Sequence, residues 1–392
     1  MSSAPKSPRR KILIAMEGVL GGTLRHLDYL LRFADPARWD IHLAVSSRRA
    51  PHVKADFRRW SDAGWTVHEI PMCREISPMR DLRAFRSVLS LCRSEHFDLI
   101  HTHCAKAGFL GRLAGRLVGT RTVHTAHVFP FSHMGAEPVR DTYLALERLA
   151  ARWTDRFIVL SHYQQNLLLD AGLAPVDHSD IIANGIVMAD FQGPPRRKAR
   201  RQLGLPEDAP IVLFAGRFRP QKGLDTLLKA ACQLRASSDP PRIVIVGEGP
   251  GARWLEQQIA SHDLTNIVMN RGFTEQMALY YAASDLLVMP SRAEGMPYVA
   301  LEAQAAGRPV AASLVSGMEE FVEHGRTGFL FPRDNPDTLA GVLQTASSNR
   351  DKLARMGRRA RERYPEKWQA HHMSRKTFRL YRHLIGSKTP GG

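Results

Sequence analysis

The sequence has few cysteines and no long apolar run. The first shortage argues against a disulfide-rich or zinc-knuckle protein, and the second against a membrane-spanning one. Four cysteines, Cys73, Cys92, Cys104 and Cys232, occur among 392 residues with no Cys-x-x-Cys spacing. They offer neither a disulfide framework nor a zinc knuckle, and they suit a reducing compartment. No apolar run reaches the roughly 20 residues that span a bilayer. Because the polar start MSSAPKSPRR and the short run KILIAM lack a signal-peptide core, the sequence predicts a cytoplasmic protein.

Acidic residues are scarce relative to basic ones, and the imbalance is local. The formal charge is +17, and residues 350–392 alone hold 13 Lys/Arg against 3 Asp/Glu, a net of +10. This distribution predicts a C-terminal element that faces an anion, rather than a protein that is basic throughout. No helix-turn-helix pattern or aromatic-interleaved basic motif accompanies the charge, so no specific nucleic-acid partner is predicted.

Short β-rich runs alternate with amphipathic helical patterns along the chain, which predicts parallel sheets covered by helices on both faces. The length favours two to three domains. A Pro- and Arg-rich stretch over residues 191–210 interrupts the alternation and is interpreted as an interdomain linker. We therefore predict an α/β protein of two doubly wound Rossmann-like domains facing each other across a cleft. The predicted strands are KILIAM, IHLAVS, TVHEIPM, DLIHTH, RTVHTAHV, DRFIVLS and SDIIAN, then IVLFAG, RIVIVG, NIVMNRG, DLLVMPS, RPVAAS and GFLFP.

The segment SRAEGMPYVALEAQAAGRPVAAS carries two glutamates, Glu294 and Glu302, around a predicted helix start. Pro297 and Gly307 suit the two ends of a helix from Pro297 to Ala306. The amides of Gly295, Met296 and Tyr298 would then favour an anion such as a phosphate. Glu302 would be buried and need donors, which ligand hydroxyls could supply. A structural glutamate paired with an arginine or an amide is an equally open interpretation.

The segment GRFRPQKGLDTLLKA places Arg217 and Lys222 between a strand and a helix start. Two cations beside helix amides could clamp a diphosphate, although surface cations on a loop remain the alternative. The run GEGPG at 247–251 is only half of a dinucleotide fingerprint, and a tight turn explains its glycines as well. Gly21 and Gly22 follow the first strand and allow either a close ligand approach or a plain turn.

The histidines do not predict a metal site. His101 and His103 share one face of a strand, whereas His124 and His127 point to opposite faces, and zinc needs three or four convergent ligands. His127, at the end of a strand, is the histidine that we place at the cleft. A core-edge histidine bonded to the backbone is the competing interpretation.

The two charged motifs, together with IIANGIVMADF, DLIHTHCAKAGFLGRLAGRL and the Gly21–Gly22 pair, resemble the family 4 glycosyltransferases of GT-B fold. The resemblance covers about residues 12 to 332. It implies retaining transfer of a sugar from a nucleotide diphosphate donor to a hydroxyl acceptor. It also implies an acceptor-binding domain over residues 1–192, a nucleotide-sugar-binding domain over 193–365, and a basic C-terminal helix over 366–392 that packs back toward the first domain.

The resemblance assigns a role to each candidate residue. Arg217 and Lys222 would neutralise the donor diphosphate, and the Gly21–Gly22 loop would lie near the phosphates. Glu294 would bind hydroxyls of the donor sugar, with Gly295 and Met296 beside it, and Glu302 would hold the ribose. His127 would lie near the anomeric carbon. The chain departs from the family where it has His127-Val128 instead of His-Gly, and where His162 follows Ser161 in place of an acidic residue.

The chemistry of these residues agrees with the resemblance, because a departing diphosphate builds negative charge that fixed cations stabilise. Arg217 and Lys222 would fill the place of a magnesium ion, so no metal cofactor is expected. The predicted partners are a nucleotide-sugar donor, a glycan or lipid-linked acceptor and an anionic membrane surface, which would make the protein peripheral on the inner face of a membrane. A sugar-nucleotide epimerase of the same fold and a basic nucleic-acid-binding protein remain the alternatives. A glycoside hydrolase fits less well, because Glu294 and Glu302 would lie about 12 Å apart along a helix.

Overall fold

The computed structural model describes residues 8–73, 75–132, 137–235 and 237–386. The described chain divides into two units, one built from residues 8–184 with 370–386 and the other from 185–369. These boundaries lie eight and four residues from the expected 192/193 and 365/366.

The first unit is a parallel sheet with the strand order β3-β2-β1-β4-β5-β6-β7. Helices on both faces bury its central strands, which explains their nearly continuous apolar runs, whereas the edge strand β3 is partly exposed. Its strands are β1 Arg10–Met16, β2 Trp39–Val45, β3 Thr66–Glu69, β4 Leu99–His103, β5 Arg121–Thr125, β6 Arg156–Val159 and β7 Ser179–Ile181. Its helices up to residue 184 are α1 Gly22–Arg32, α2 Lys54–Asp62, α3 Pro78–Glu95, α4 Ala105–Val118, α5 Glu137–Ala151 and α6 His162–Asp170.

The second unit is a smaller parallel sheet with the order β10-β9-β8-β11-β12-β13. Its core lies between this sheet and its helices. The strands are β8 Ile211–Ala215, β9 Arg242–Val246, β10 Val268–Asn270, β11 Leu286–Met289, β12 Val310–Ser313 and β13 Gly328–Phe331. The helices are α7 Arg196–Leu203, α8 Leu224–Leu234, α9 Ala252–Ser261, α10 Met277–Ala283, α11 Tyr298–Ala305, α12 Pro336–Ser348 and α13 Arg350–Glu362.

The last helix, α14 Ala370–Gly386, returns to the first unit. It packs against α1, and its apolar stripe of Phe378, Tyr381, Leu384 and Ile385 is buried. The ring of Phe378 stacks on Trp39 of β2. Residues 387–392 of the predicted basic helix lie outside the described residues.

The interpretation of residues 191–210 as a linker is wrong. Residues 196–203 form α7, which packs on α10 within the second unit. Arg200 is fully buried there, and its guanidinium bonds Asp285 at 2.8 Å and the Ala283 carbonyl at 2.9 Å. The preceding segment also belongs to the second unit, because the Ile186 amide bonds the Trp368 carbonyl at 2.9 Å. A basic run in a sequence does not reveal which one of its arginines is buried against a carboxylate.

Each sheet reverses its strand order next to its first strand, between β1 and β4 in one unit and between β8 and β11 in the other. Ligands of open α/β sheets bind at the carboxyl ends of the strands at such reversals. Within the part of the chain that the structure describes, no helix is both long and apolar enough to cross a membrane.

Candidate functional site

The two charged motifs of the second unit lie side by side at the reversal point of its sheet. One is the loop after β8, which contains a short 3₁₀ turn Pro220–Lys222, and the other is the loop after β11 that leads to α11. Because β8 and β11 are neighbours, their carboxyl ends bring residues about 72 positions apart into contact. The expected positions of both motifs at strand ends are therefore found.

Lys222 and Glu294 form an ion pair with the lysine Nζ 2.6 Å from Oε1 of the glutamate. The glutamate side chain is only 7% exposed and the lysine 23%. A buried carboxylate needs such a partner, since burying an unpaired charge costs several kcal/mol. The pair thus holds one cation and one anion at the position that the sequence predicts for a bound diphosphate and sugar.

Gly223 explains why the two loops approach so closely. Its φ is +66°, and a Cβ at this position would meet the Pro290 carbonyl oxygen at 1.9 Å. Only glycine fits such a backbone conformation and such a contact without strain. Gly223 is also the N-cap of α8, so its position fixes the start of that helix next to the loop after β11.

The glycines of GEGPG serve packing in the same way. A Cβ on Gly247 would meet the Gly216 carbonyl oxygen at 1.9 Å, and the Phe218 amide donates to the Glu248 carbonyl at 2.8 Å. The run therefore supports the backbone beside Arg217, in agreement with the tight-turn interpretation. Arg217 itself is half-buried in this loop, and the Lys222 side chain passes over the adjacent Gly216.

Arg292 ties the two loops together, and sequence reasoning missed it. Its guanidinium bonds both carboxylate oxygens of Asp225, at 2.9 and 2.7 Å, and the Asp334 carboxylate at 2.8 Å. It also donates to the Pro220 carbonyl, and its backbone amide bonds the Gln221 carbonyl at 2.8 Å. The hydrogen bonds to Asp225 raise the pKa of Arg292. The guanidinium thus holds the turn that carries Lys222.

Helix α11 carries Glu302 into the core. The expected helix is present, with Pro297 as its N-cap rather than its first residue and Gly307 just beyond its end at a φ of +71°. Glu302 is 1% exposed, and the Tyr281 hydroxyl donates to its Oε2 at 2.7 Å. Gly295 and Met296 lie buried in the turn before the helix. The Glu294 amide in the same turn donates to the Ser316 hydroxyl at 3.1 Å.

The first unit places Gly21 and Gly22 at the carboxyl end of β1, where α1 begins. Both are exposed, and Gly21 has a φ of +56°. Thr23 holds the turn by donating to the Leu20 carbonyl at 2.9 Å. Next to this turn, the buried Glu17 carboxylate accepts from the Ala107 amide of α4 at 3.1 Å, and burial raises the pKa of Glu17. Sequence reasoning did not single out Glu17.

His127 lies just after β5 and contacts two other histidines. Its Nε2 is 3.1 Å from Nδ1 of His103, and its ring centroid is 4.8 Å from that of His26 on α1. His101 bonds Tyr381 and Thr125, while His124 lies by Thr102 and Gly108. Three ring nitrogens, one each from His26, His103 and His127, thus lie within 4.8 Å of one another. The sequence did not predict this convergence, because His26 belongs to a helix that is distant along the chain from the histidine-rich strands.

These histidines are neutral at neutral pH. Burial lowers the pKa of His26 to about 4. Burial, followed by the charge of neighbouring histidines, lowers the pKa of His103 and His127 well below the usual value. His127 can therefore donate or accept a hydrogen bond near neutral pH, but it carries no positive charge there.

The two parallel α/β units have the GT-B fold. Sucrose-phosphate synthase from Thermosynechococcus elongatus superposes with a TM-score of 0.83 at 23% identity, covering 97% of this chain and 100% of that one. Anabaena HepE in complex with UDP and glucose gives a TM-score of 0.80 at 23% identity, over 95% of this chain and 99% of that one.

Sequence comparison gives the family. Residues 20–189 match the profile described as Glycosyltransferase Family 4, and residues 195–363 match that of Glycosyl transferases group 1. A UDP-Gal:alpha-D-GlcNAc-diphosphoundecaprenol alpha-1,3-galactosyltransferase of Escherichia coli is 31% identical over 279 residues, 69% of this chain and 72% of that protein. A D-inositol 3-phosphate glycosyltransferase of Streptomyces scabiei is 35% identical over 282 residues, but the chain spans only 63% of its length.

The chain therefore belongs to glycosyltransferase family 4, a class of enzymes that use nucleotide-sugar donors.

Proposed function

We propose that this glycosyltransferase moves a sugar, with retention of anomeric configuration, from a nucleoside diphosphate donor to a hydroxyl of a lipid-linked or polysaccharide-precursor glycan. The observation that carries the proposal is the meeting of Lys222 and Glu294 where β8 and β11 end. A bound diphosphate needs a cation, which Lys222 supplies. The hydroxyls of the donor sugar need a hydrogen-bond acceptor, which the Glu294 carboxylate supplies.

In this proposal Arg217 and Lys222 neutralise the charge that grows on the leaving diphosphate. The α8 amides that follow Gly223 and the turn around Gly295 and Met296 add helix-dipole stabilisation. Lys222 is paired with Glu294. A bound diphosphate would share the lysine, and this would release lone pairs of Glu294 for sugar hydroxyls.

Glu302 is proposed to hold the ribose of the donor. Its Oε2 already accepts from Tyr281, which fixes the carboxylate in one orientation. A carboxylate has about four lone-pair sites, so a ribose diol can bind beside the tyrosine. His127 and the Gly21–Gly22 loop are proposed to act at the anomeric carbon and the phosphates, roles that rest on the family relationship.

The donor base is proposed to be uracil. The galactosyltransferase of Escherichia coli is named for UDP-Gal, and the Anabaena enzyme was solved with UDP and glucose. No divalent metal is proposed for transfer, since two cationic side chains lie in the loop where a magnesium ion would act. Removal of divalent metal by a chelator should therefore not lower the transfer rate.

The acceptor is proposed to be lipid-linked, as in the diphosphoundecaprenol acceptor of the Escherichia coli relative. Exposed basic residues on α14, namely Arg375, Lys376, Arg379 and Arg382, offer charge for an anionic membrane surface. Because the apolar stripe of α14 is buried against the first unit, this contact would be electrostatic, without insertion of the helix.

A transfer assay tests the proposal. Purified protein is incubated with UDP-, GDP- or ADP-linked hexoses and either polyprenyl-diphosphate-linked or free glycan acceptors, and the anomeric configuration of the product is read by NMR. The proposal expects transfer from a UDP-sugar, retention, and a preference for the lipid-linked acceptor. Inversion would contradict the retaining step, and conversion of the donor into an epimer without an acceptor would favour the epimerase alternative.

A further inference from the structure

The first unit contains a cluster of three histidines, of which only His127 has a proposed role in sugar transfer. His26 comes from α1, His103 ends β4, and His127 follows β5. Ring nitrogens of the three lie within 4.8 Å of one another. Tetrahedral zinc with nitrogen ligands at about 2.0–2.1 Å places those nitrogens about 3.3 Å apart, so rotations that move each nitrogen by about 1.5 Å or less close the site.

The surroundings already orient His26 as a ligand. Its Nδ1 lies 3.0 Å from the Asn184 Oδ1. Because that oxygen is an acceptor, Nδ1 carries the proton and the lone pair is on Nε2. A histidine whose other nitrogen donates to an oxygen is the usual arrangement around bound metal ions, since the bond fixes both tautomer and ring orientation.

Two nitrogen atoms of the cluster lack a hydrogen-bond partner among the described residues. They are Nε2 of His26 and Nε2 of His103, and both are buried. Leaving a buried polar atom unsatisfied costs about 1–3 kcal/mol, and such atoms often mark an ion or a water. In contrast, both ring nitrogens of the adjacent His101 are bonded, to Tyr381 and to Thr125. His26 and His103 are thus distinguished from His101, while the Nε2 of His127 would exchange its contact with Nδ1 of His103 for the metal ion.

The three imidazole rings can also coordinate a metal ion without first losing the extra proton of the charged form. Burial keeps all three rings neutral at neutral pH, which is the form that coordinates metal. Only His127 is half-buried, while the other two are buried, so access from solvent is on its side. Imidazole ligands without carboxylates favour zinc and other imidazole-preferring ions over magnesium or calcium.

We propose that His26, His103 and His127 bind one divalent cation of the imidazole-preferring class, with zinc the best fit, and that a fourth position stays open to water. Since His127 is also a residue proposed to act in transfer, occupancy of this site inhibits the enzyme. The inhibition rests on the proposed function, whereas the binding itself does not.

Binding is tested on tag-free, chelator-stripped protein with zinc in competition with a chromophoric chelator, and with cobalt by absorption spectroscopy. We expect one equivalent of tightly bound zinc and the intense visible bands of a tetrahedral cobalt site. His26→Gln and His127→Gln should each weaken zinc binding by at least about tenfold. Asn184→Ala, which removes the orienting bond, should weaken it about 10- to 100-fold.

The matched control is His262→Gln, an exposed histidine of the second unit, which should bind zinc as the wild type does. Circular dichroism of each variant checks that its fold is intact. The substitution of the half-buried His127 should disturb packing least. Absence of zinc binding by the wild type, or equal binding by the cluster variants and the control, would overturn the proposal and leave water as the occupant.

Inhibition is then measured separately in the transfer assay. Saturating zinc should lower the rate at least tenfold, and excess chelator should restore it. Full transfer activity with zinc bound would overturn the inhibitory role. Zinc binding in a protein that transfers no sugar from any donor would leave the cation site standing while the proposed function failed, so the two failures are distinguishable.

Discussion

Among single residues, the proposed transfer depends most on Arg217 and Lys222, the two cations of the loop after β8. Lys222→Ala and Arg217→Ala should each lower kcat/KM, because each removes a charge aimed at the leaving diphosphate. The expected loss of transition-state stabilisation is about 2–4 kcal/mol for each variant. Steady-state kinetics with the preferred donor measure the loss. Lys229→Ala, which removes an exposed lysine from α8, is the matched control. Near wild-type kinetics for both site variants would remove the clamp from the mechanism.

The two glutamates should separate binding from turnover. Glu302→Gln is expected to weaken nucleotide affinity more than it lowers kcat, because a ribose contact made equally in the ground and transition states changes affinity alone. Glu294→Gln should instead lower kcat, since it alters the sugar contact and the partner of Lys222.

Calorimetry with the bare nucleoside diphosphate distinguishes the two variants. The assignment is contradicted when Glu294→Gln loses as much affinity for the diphosphate as Glu302→Gln does.

His26 makes stability depend on pH with a definite sign. Its pKa falls to about 4 in the folded protein, below the unfolded value of about 6.5, so the unfolded chain binds the proton first and acid favours unfolding. This stability is complete above pH 6.5 and is lost as the pH falls toward 4, which amounts to about 2 kcal/mol by pH 5. Thermal unfolding at pH 7.5 and pH 5 measures it.

The difference between wild type and His26→Gln isolates this effect from other groups, such as Glu17, whose raised pKa acts in the opposite direction. The variant should lose less stability than the wild type between the two pH values, while His262→Gln should follow the wild type. Equal losses in all three proteins would show that His26 is not buried in its neutral form.

At the scale of elements, the loops after β8 and β11 act together because Arg292 joins them. Arg292→Lys keeps the charge but loses the paired bonds to Asp225, so the turn carrying Lys222 should loosen and kcat/KM should fall by up to about 100-fold. Hydrogen exchange in residues 217–223 should rise in parallel. Arg326→Lys, at an exposed ion pair with Glu323, is the control and should change neither quantity. Unchanged exchange in the loop would refute the joining role.

The sequence predicts elements better than it predicts their mutual contacts. Each predicted strand is present, and the central ones are recognisable because a run buried on both faces is apolar whatever its neighbours are. The two ends of α11 follow from Pro297 and Gly307 for equally local reasons. In contrast, Arg292 and the histidine trio depend on which strands become neighbours, as His26 and His103 show. No local sequence pattern reveals which strands become neighbours. For the same reason, the sequence does not show that Arg200 is buried, and the segment around it is wrongly interpreted as a linker.

At the scale of the whole molecule, the strong positive charge predicts reversible membrane association. The protein should co-sediment with anionic vesicles at low salt, each well-placed basic residue contributing about 1 kcal/mol. Binding should disappear as salt rises through a few hundred millimolar, because screening shortens the reach of exposed charges to below about 8 Å.

Removing two exposed charges of α14 with Lys376→Gln and Arg379→Gln should weaken vesicle binding more than the matched pair Lys229→Gln and Arg253→Gln. Equal binding to neutral and anionic vesicles at low salt would favour a soluble acceptor instead.

The most direct test of the central claim is calorimetry of UDP binding to the wild type, Lys222→Ala and Lys229→Ala in the presence of a chelator. We expect the wild type and Lys229→Ala to bind UDP alike without metal. We expect Lys222→Ala to bind UDP at least tenfold more weakly, because the diphosphate loses its cation beside Glu294. UDP affinity unchanged in Lys222→Ala, or binding that requires added magnesium, would contradict the account.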